Sequence, residues 1–460
     1  MMISTNLEEN INFIEETLPI GLSFDIITRE LYFGKSKVYW LGLNGLSNTE
    51  ILQRIFSDLQ SDSEGHIDDI NNYVASHIGY VQTTFCKEMN KAIEGVLTGC
   101  SALFIDGFDT AVILDTRSYP LRSIDEPATE KVLRGAKECF IESIVSNSSL
   151  IRRRIKNPKL TFEIFSVGTE SKTDVAIAYT DYNTSADLIN FLRNKLTNID
   201  VTTLTLGTKS LEELLIKRHW YTPMPSILTT ERPDVACSYI AEGHIAIIVD
   251  NSPSVIILPC TIFQFTQAPT DYYKSLAMGN YVRFIRFICV LLGLLTLPIY
   301  MVFQNDISVI RMFVYTLAIE FSLDLFKYST AHAPSEYSGS LSLIGGLILS
   351  DSAIKLNWTS PEIIFYGAVT MLATMALSHI EFAEAIRLYR LLLVLCTGLF
   401  GTVGFIAGLL LIAFSIIKTP TLPGRSYFWP LYPFNKEALK RLLIRFQATK
   451  AQPIQNQKSR

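Results

Sequence analysis

Apolar residues are distributed in two different ways along this chain. Before about residue 280 they recur in short runs, whereas beyond it they form long runs that are almost free of charge. A bilayer core of about 30 Å takes roughly 20 helical residues. Three segments approach or exceed this length and are each predicted to cross a membrane, namely residues 284–303, 363–380 and 391–417. The one charge in the first of them, Arg286, is expected to reach the lipid headgroups.

Two further segments combine apolar residues with charges. Residues 338–356 hold Asp351, and residues 307–328 hold Glu320 and Asp324. A charge at the centre of a bilayer costs about 3 kcal/mol or more, so it is expected to face other helices or water. We therefore predict that the second of these segments is broken or interfacial and that the three carboxylates face a wet route lined by protein. Prolines and glycines between the two segments favour a re-entrant piece.

Lysine and arginine beside the spans predict the orientation of the chain. Basic residues precede the first span, and residues 418–460 carry nine Lys or Arg against one acid. Both ends are therefore expected in the cytoplasm, with an even number of full crossings, about four. Arg387 and Arg390 then fall on the opposite side, unless residues 381–390 lie along the membrane surface with Glu384 and Arg387 paired.

The last span contains a stripe of small residues. Four glycines recur in it at three- and four-residue spacing, namely Gly398, Gly401, Gly404 and Gly408. Such a stripe is predicted to let another helix approach closely. An aromatic and proline run at residues 427–434 follows the span and is expected to anchor it in the headgroup layer.

The first 280 residues are predicted to fold as α/β layers rather than as a doubly wound nucleotide fold. Short β-branched or aromatic runs predict strands at residues 38–43, 101–106, 110–114, 162–167, 175–179, 243–249 and 254–258. Helical periodicity predicts helices at residues 50–59, 88–97, 130–155, 185–195 and 210–217. Residues 168–173 are predicted to form a hairpin and residues 250–253 a second turn.

These elements divide the chain into four expected parts. A first α/β subdomain with a connecting helix occupies residues 1–157, a second α/β subdomain 158–280, a multi-pass transmembrane helical domain 281–417 and a basic cytoplasmic tail 418–460, with a boundary near Pro158. Residues 1–280 carry 24 Lys or Arg and 35 Asp or Glu, a net charge near −11, so nucleic acid is not an expected partner. The first 20 residues hold four Glu and no Lys or Arg, which does not fit a secretory signal, so this region is expected in the cytoplasm.

Motifs that carry catalytic chemistry are not found. The seven cysteines are widely spread without a paired spacing, and the six histidines lack ligand spacing, so neither a disulfide framework nor a metal site is predicted. Residues 168–173 resemble the end of a phosphate loop but lack the glycine before Lys172. Asp106, Asp109 and Asp115 fit turns better than a catalytic cluster. No enzymatic activity and no cofactor are therefore expected.

A basic run within the acidic region allows two interpretations. Arg152, Arg153, Arg154 and Lys156 fall at the end of a predicted helix, where cations complement the helix dipole. The alternative is a contact with anionic lipid or with an acidic partner.

Five stretches of the sequence, residues 122–127, 131–135, 149–156, 231–236 and 242–255, contain Glu126, Pro127, Arg134, Gly135, Arg152, Arg154, Glu231, Arg232, Pro233, Asp234, Glu242, Gly243, Asp250 and Pro253. In this order they resemble the signature stretches of the spore germination receptor A-subunit family, the GerA type. Residues 23–25, 43–46 and 324–334 and the closing aromatic run most resemble the stage V sporulation protein AF branch of that family. With the spans and the closing aromatic run, the resemblance extends over nearly the whole chain.

The resemblance implies a subunit of the spore inner membrane that helps a dormant spore release ions during germination. It implies a homo-oligomer around a conducting path, together with other membrane germination subunits and without enzymatic chemistry. Two other functions stay open. A sensor or scaffold would use its spans only as an anchor in the lipid bilayer, and a secondary transporter would bind solute at broken helices.

Overall fold

The computed structural model describes residues 1–60, 67, 69–79, 81–119, 130, 135–217, 219–304, 309–332, 354–355, 360–422 and 426–444. Along the chain it contains a first antiparallel sheet, a second antiparallel sheet and a helical region. The predicted α/β character of the first 280 residues is confirmed. The signature residues Glu126, Pro127 and Arg134, and the predicted pore residue Asp351, lie outside the described residues.

The first sheet is buried on both faces by helices. Its strands are β1 (Ile26–Phe33), β2 (Ser36–Leu43), β3 (Thr83–Cys86), β4 (Ser101–Ile105) and β5 (Ala111–Leu114), in the order β1-β2-β4-β5-β3. Its helices are α1 (Leu7–Thr17), α2 (Thr49–Gln60), α3 (Ile70–His77) and α4 (Met89–Leu97). Alternation along β2 sends Tyr39 and Leu41 into the core beneath α1 and α4, and Val38 and Trp40 into the core beneath α2 and α3.

The second sheet is likewise covered by helices on both faces, and with them it forms the second sheet domain. Its strands are β6 (Leu160–Val167), β7 (Thr173–Thr180), β8 (Leu228–Thr230), β9 (Ile245–Val249) and β10 (Val255–Leu258), in the order β6-β7-β9-β10-β8. Its helices are α5 (Ile144–Arg154), α6 (Ala186–Thr197), α7 (Thr208–Leu215) and α8 (Pro233–Ala241). Ala246 and Ile248 of β9 pack under α5 and α8, whereas Ile247 and Val249 pack under α6 and α7. The predicted hairpin at 168–173 and the turn at 250–253 are confirmed by the β6–β7 and β9–β10 pairings.

The long helix predicted at residues 130–155 is wrong over residues 135–143, which are not helical. Helix α5 begins only at Ile144, where the Ser143 side chain accepts a hydrogen bond from the Ser146 N–H and caps the helix. Upstream, Gly135 has a φ of +135°, and a Cβ there would lie 2.5 Å from the Tyr273 ring. The backbone of Gly135 is therefore not helical, and the contact with Tyr273 leaves no room for a side chain at this position.

A buried ion pair joins the two sheets. Arg152 of α5 donates from Nε to Asp25 Oδ2 at 2.7 Å and from Nη2 to Asp25 Oδ1 at 3.2 Å. The same guanidinium donates to the Leu160 carbonyl at 2.8 Å and lies over the Phe162 ring. Both charged side chains are at most 3% exposed. Arg152 therefore binds inside the chain, which excludes a lipid contact for this member of the basic run.

A linker with a 3₁₀ turn (Ile262–Thr266) and α9 (Pro269–Tyr272) leads from the second sheet to the helical region. That region contains α10 (Leu276–Phe303), α11 (Val309–His332), α12 (Pro361–Met375), α13 (Ile380–Ile417) and α14 (Lys436–Leu443). Among the described residues, α10 and α13 are long and apolar enough to cross a membrane, and α12 is apolar but shorter. Residues 309–332 form one continuous helix, α11, so the break predicted within 307–328 is wrong over these residues, and the interfacial placement stays a prediction.

Helix α13 is a hairpin of two helical arms. Gly401 has a φ of 60° and a ψ of −138°, which breaks the helical path. The Tyr389 hydroxyl lies 2.9 Å from Ser415 Oγ, although 26 residues of straight helix would separate them by about 39 Å. A Cβ on Gly404 would lie 1.9 Å from the Cys396 carbonyl oxygen. The single span predicted for 391–417 is therefore wrong, since the chain turns back at Gly401.

Helix α10 and the first arm of α13 run away from the second sheet domain, whereas α11 and α12 run back towards it. Tyr300 of α10 packs on Tyr366 of α12 at 4.8 Å between ring centroids. On α11, Asp324 binds Arg387 at the base of the first hairpin arm. At the start of that arm, Phe382 stacks on Phe265 of the linker. Both ends of the hairpin consequently lie beside the second sheet domain.

Asp25→Ala is expected to destabilise the α/β region by about 3–5 kcal/mol, because it leaves the Arg152 guanidinium buried without a counter-charge. Urea unfolding of the purified chain, followed by circular dichroism, measures the loss. Asp109→Ala is the matched control, since Asp109 and its partner Lys87 are both more than half exposed and the pair should contribute nothing measurable. Equal losses of unfolding free energy in the two variants would contradict this account of the Arg152–Asp25 ion pair.

Gly408→Cys is expected to form a disulfide with the native Cys396. A Cβ on Gly408 would lie 3.3 Å from the Cys396 Cβ, close to the separation of about 3.5–4.5 Å that a disulfide requires. In a straight helix these positions would be about 18 Å apart. Mild oxidation followed by mass spectrometry of the digested chain detects the link. The control, Gly408→Cys combined with Cys396→Ser, lacks the second thiol and should not form the link. Absence of the link in the Gly408→Cys variant as well would rule out the hairpin.

Candidate functional site

The helical region has its polar groups inside and its apolar groups outside. Its exposed large side chains include Phe284, Leu291, Phe303, Phe321, Phe365, Leu372, Leu399, Val403, Leu410 and Phe414. Its buried side chains include Arg283, Arg286, Glu320 and Arg390. In the most apolar windows of α10 and α13, only 33% and 22% of the residues are buried. A core helix of a soluble protein is mostly buried, so this distribution favours an apolar solvent around the helices.

The centre of the region is an ion pair between α11 and α13. Arg390 donates from Nε to Glu320 Oε1 at 2.5 Å and from Nη2 to Glu320 Oε2 at 2.8 Å. Its remaining terminal nitrogen donates to the Gly293 carbonyl of α10 at 2.8 Å. Glu320 is 1% exposed and Arg390 is 3% exposed. The guanidinium thus holds three helices together, and both carboxylate oxygens of Glu320 accept a hydrogen bond.

A second pair lies one helical turn nearer the sheets. Arg387 binds Asp324 at 2.8 Å, and the two side chains are 27% and 33% exposed. This pair places Arg387 on the helix face that meets α11, and the expected pairing of Arg387 with Glu384 along the membrane surface stays a prediction. The expectation that Glu320 faces a wet route is not met within one chain, since its side chain is enclosed. Asp324 is partly open.

A third charged cluster fixes the base of α10. Arg286 donates to both carboxylate oxygens of Asp271, at 2.9 and 3.0 Å, and to the Thr266 carbonyl at 2.8 Å. Arg283 donates to the Leu442 carbonyl of α14 at 2.9 Å. Arg286 is 5% exposed, so the predicted extension of this side chain to the headgroups is wrong. Its partner is the buried carboxylate of Asp271 in the linker.

The four glycines of the stripe have different neighbours. A Cβ on Gly398 would lie 2.3 Å from the Phe313 ring of α11, so this glycine admits a neighbouring helix. Gly404 and Gly408 face Cys396 and Leu393 of the other arm. Gly401 forms the turn itself. The close approach they permit is therefore mostly within the hairpin.

The signature residues around Arg232 join α8 to the linker. Arg232 is fully buried and donates to Asp234 Oδ2 at 2.7 Å, while the Tyr273 hydroxyl donates to the same oxygen at 2.7 Å. Burial opposes ionisation of Asp234, but these two hydrogen bonds hold its pKa below the ordinary value. Burial raises the pKa of the nearby Glu130, whose carboxylate accepts from Thr230.

Most of the other described signature residues serve local structure. Arg154 binds Glu138 at 2.7 Å, so this part of the basic run also pairs within the chain. Pro233 is the first residue of α8, and the Glu231 carbonyl accepts from the Phe140 N–H. Glu242 ends α8, and Gly243 follows with a φ of +87° and no room for a Cβ beside the Asn183 carbonyl. In the turn 250–253, which includes Pro253, Asp250 accepts from the Ile144 N–H at 3.1 Å and so attaches α5 to the sheet.

A cavity of about 320 Å³ lies where α8, the linker and the start of α13 meet. Its lining includes Glu130, Asp234, Tyr239, Tyr272 and His379. In the described part of the chain, no group of three or more His, Cys, Asp or Glu side chains could hold a metal ion. The seven cysteines are all free thiols, five of them buried.

Sequence reasoning missed the partners of the buried arginines. Asp271 was not singled out, although it binds Arg286, and the Arg390–Glu320 pair joins residues that are 70 positions apart. A usable signal was present in the second case. Two arginines at 387 and 390 and two acids at 320 and 324 have spacings that place each couple on one helix face.

Comparisons with known proteins identify relatives of this chain. The family model described as Bacillus/Clostridium GerA spore germination protein matches residues 12–456. Stage V sporulation protein AF of Bacillus subtilis (strain 168) is 33% identical over 463 residues, which cover 96% of this chain and 92% of that protein. Spore germination protein KA of the same organism is 27% identical and covers 97% and 85%.

A solved structure is also similar to part of the chain. The crystal structure of the N-terminal domain of the A subunit of the Bacillus megaterium spore germinant receptor GerK3 covers 56% of this chain and 96% of that domain, at 25% identity and a TM-score of 0.43. The matches to the family model and to stage V sporulation protein AF span the α/β region and the helical region alike. The chain is therefore a member of the GerA spore germination protein family.

Proposed function

We propose that this chain is a multi-pass membrane subunit of a spore germination complex, located in the spore inner membrane with its α/β region and tail in the cytoplasm. The observation that carries the proposal is that the helical region exposes large apolar side chains and buries charged ones. Phe321, Leu372 and Leu410 are each about two-thirds exposed or more, while Glu320 and Arg390 are enclosed. Lipid around the helices stabilises this arrangement, because apolar surface of that extent is unfavourable in water.

Helix directions support an even number of crossings. Helix α10 leaves the second sheet domain, α11 and α12 both run back towards it, and the hairpin α13 leaves and returns. Both termini of the helical region then lie on the same side of the bilayer. The basic residues after 417 favour the cytoplasm for that side.

Helix α11 supports self-association around a conducting path. It exposes Arg311 and Ser329 along one edge, and Asp324 is one-third exposed along another edge. The exposed side chains between these edges are apolar or aromatic, namely Val314, Phe321, Leu325 and Tyr328. Charges facing hydrocarbon are costly, so the two polar edges are expected to meet water or α11 of neighbouring copies. A ring of such helices would surround a polar route, and the chain's own interior would remain packed. We propose this homo-oligomeric path as an ion channel for germination, together with other germination subunits and without an enzymatic reaction.

Currents across planar bilayers that contain the purified chain test the proposal. Wild-type chain is expected to conduct ions in the absence of any solute gradient. Arg311→Glu is expected to raise the cation-over-anion permeability ratio several-fold, because it replaces a positive charge on the proposed route by a negative one. The reversal potential under a KCl gradient measures that ratio. Phe321→Ala is the matched control on the same helix, and it should leave the ratio unchanged because it alters no charge.

Two outcomes would exclude the channel. Wild-type current at background leaves a non-conducting sensor or scaffold. Flux that appears only with a coupled solute gradient leaves a secondary transporter.

A further inference from the structure

The loop between α7 and β8 carries the most exposed large apolar side chain among the residues that the structure describes. Trp220 is 96% exposed, and its neighbour Tyr221 is 42% exposed. Trp220 lies edge-on to Tyr221 at 6.0 Å between ring centroids, and His219 stacks on Tyr221 at 5.1 Å. Three rings therefore project as one group from the second sheet domain, where water alone would not stabilise them.

The backbone of this loop is held at the level where the last apolar helical arm ends. Ser415 Oγ donates to the Tyr221 carbonyl at 2.9 Å. Around Ser415, the arm exposes Phe414 and Ile417 and then meets Lys418, whose ammonium nitrogen lies 5.8 Å from the centre of the Phe414 ring. Apolar surface gives way to charge at that point. Ser415 therefore marks a depth near the edge of the hydrocarbon layer.

The chemistry of the loop fits that depth. Tryptophan and tyrosine are enriched at membrane interfaces because each ring combines an apolar body with a polar edge. Lys217 and Lys418 are both exposed and add positive charge, which favours anionic headgroups. At the sheet-proximal ends of α10 and α11, Tyr281 and Tyr328 are also exposed. Trp220 thus extends an aromatic belt from the helices onto the α/β region.

We infer that the loop at residues 219–221 binds the bilayer directly and inserts Trp220 among the lipid headgroups. The loop attaches the second sheet domain to the membrane surface at a point separate from the covalent linker. This inference rests on the membrane embedding proposed above. It assigns a lipid-binding role to a part of the α/β region that carries none of the family signature residues.

Fluorescence quenching by brominated lipid tests the inference on the full chain. The chain is reconstituted in vesicles of phosphatidylcholine and phosphatidylglycerol, in which the phosphatidylcholine is brominated either near the headgroup or deep in the acyl chain. The emission that Trp220→Phe removes belongs to Trp220. That emission is expected to lose most of its intensity with shallow bromine and less with deep bromine.

Two variants in the Trp220→Phe background separate this inference from the proposed membrane embedding. Leu410→Trp reports on the middle of the second hairpin arm and is expected to be quenched most by deep bromine. Tyr32→Trp places the probe at an exposed position of β1 in the first sheet and is expected to be unaffected. Each variant is compared only if it elutes like the wild type in gel filtration.

The outcomes are distinct. Quenching of Leu410→Trp without quenching of the Trp220 emission overturns the lipid contact and leaves the embedding intact. Absence of quenching at both positions overturns both. If acrylamide does not quench the Trp220 emission and neither brominated lipid quenches it, protein rather than lipid covers Trp220, which overturns the inference. If brominated lipid quenches Tyr32→Trp as strongly as Trp220, the lipid contact is unspecific, which also overturns it.

Discussion

A guanidinium–carboxylate pair enclosed by apolar helices is the interaction on which the helical region depends. Arg390 satisfies both oxygens of Glu320 and the carbonyl of Gly293, so one side chain fixes α10, α11 and the first arm of α13. In hydrocarbon, neither charge could remain without the other. The pair therefore specifies which helix faces meet, whereas the surrounding leucines and phenylalanines would accept several registers.

The charged clusters also connect the helices to the α/β region. Asp271 in the linker holds Arg286 at the base of α10, and Phe265 stacks on Phe382 at the base of the hairpin. The Tyr427 hydroxyl donates to the Pro225 carbonyl at 2.8 Å, which fixes the chain after the hairpin to the second sheet domain. A displacement of that domain would consequently be transmitted to α10 and to both arms. The geometry suits an α/β region that controls the packing of the helices.

The sequence was sufficient for the central strands and for the apolar character of the helical region. The strands that it did not predict, β1, β3 and β8, are all at sheet edges. Edge strands expose polar residues such as Arg29 and Glu30, which weakens the hydrophobic signal. The hairpin in α13 was missed because 391–417 contains no charge or proline at the turn, and Gly401 looked like one more packing residue. The partner of Arg286 depends on a tertiary contact that local spacing does not encode, whereas the spacings of 387 with 390 and of 320 with 324 offered a signal for the partner of Arg390.

A double-mutant cycle on Glu320 and Arg390 tests the central claim most directly. The unfolding free energies of Glu320→Ala, Arg390→Ala and the double variant are measured in the same detergent or bicelle. The account predicts that each single variant loses about 3 kcal/mol or more and that the double variant is no less stable than either, because removing both charges leaves none buried alone. Additive losses would mean that the two side chains do not meet and would contradict the arrangement of helices described above.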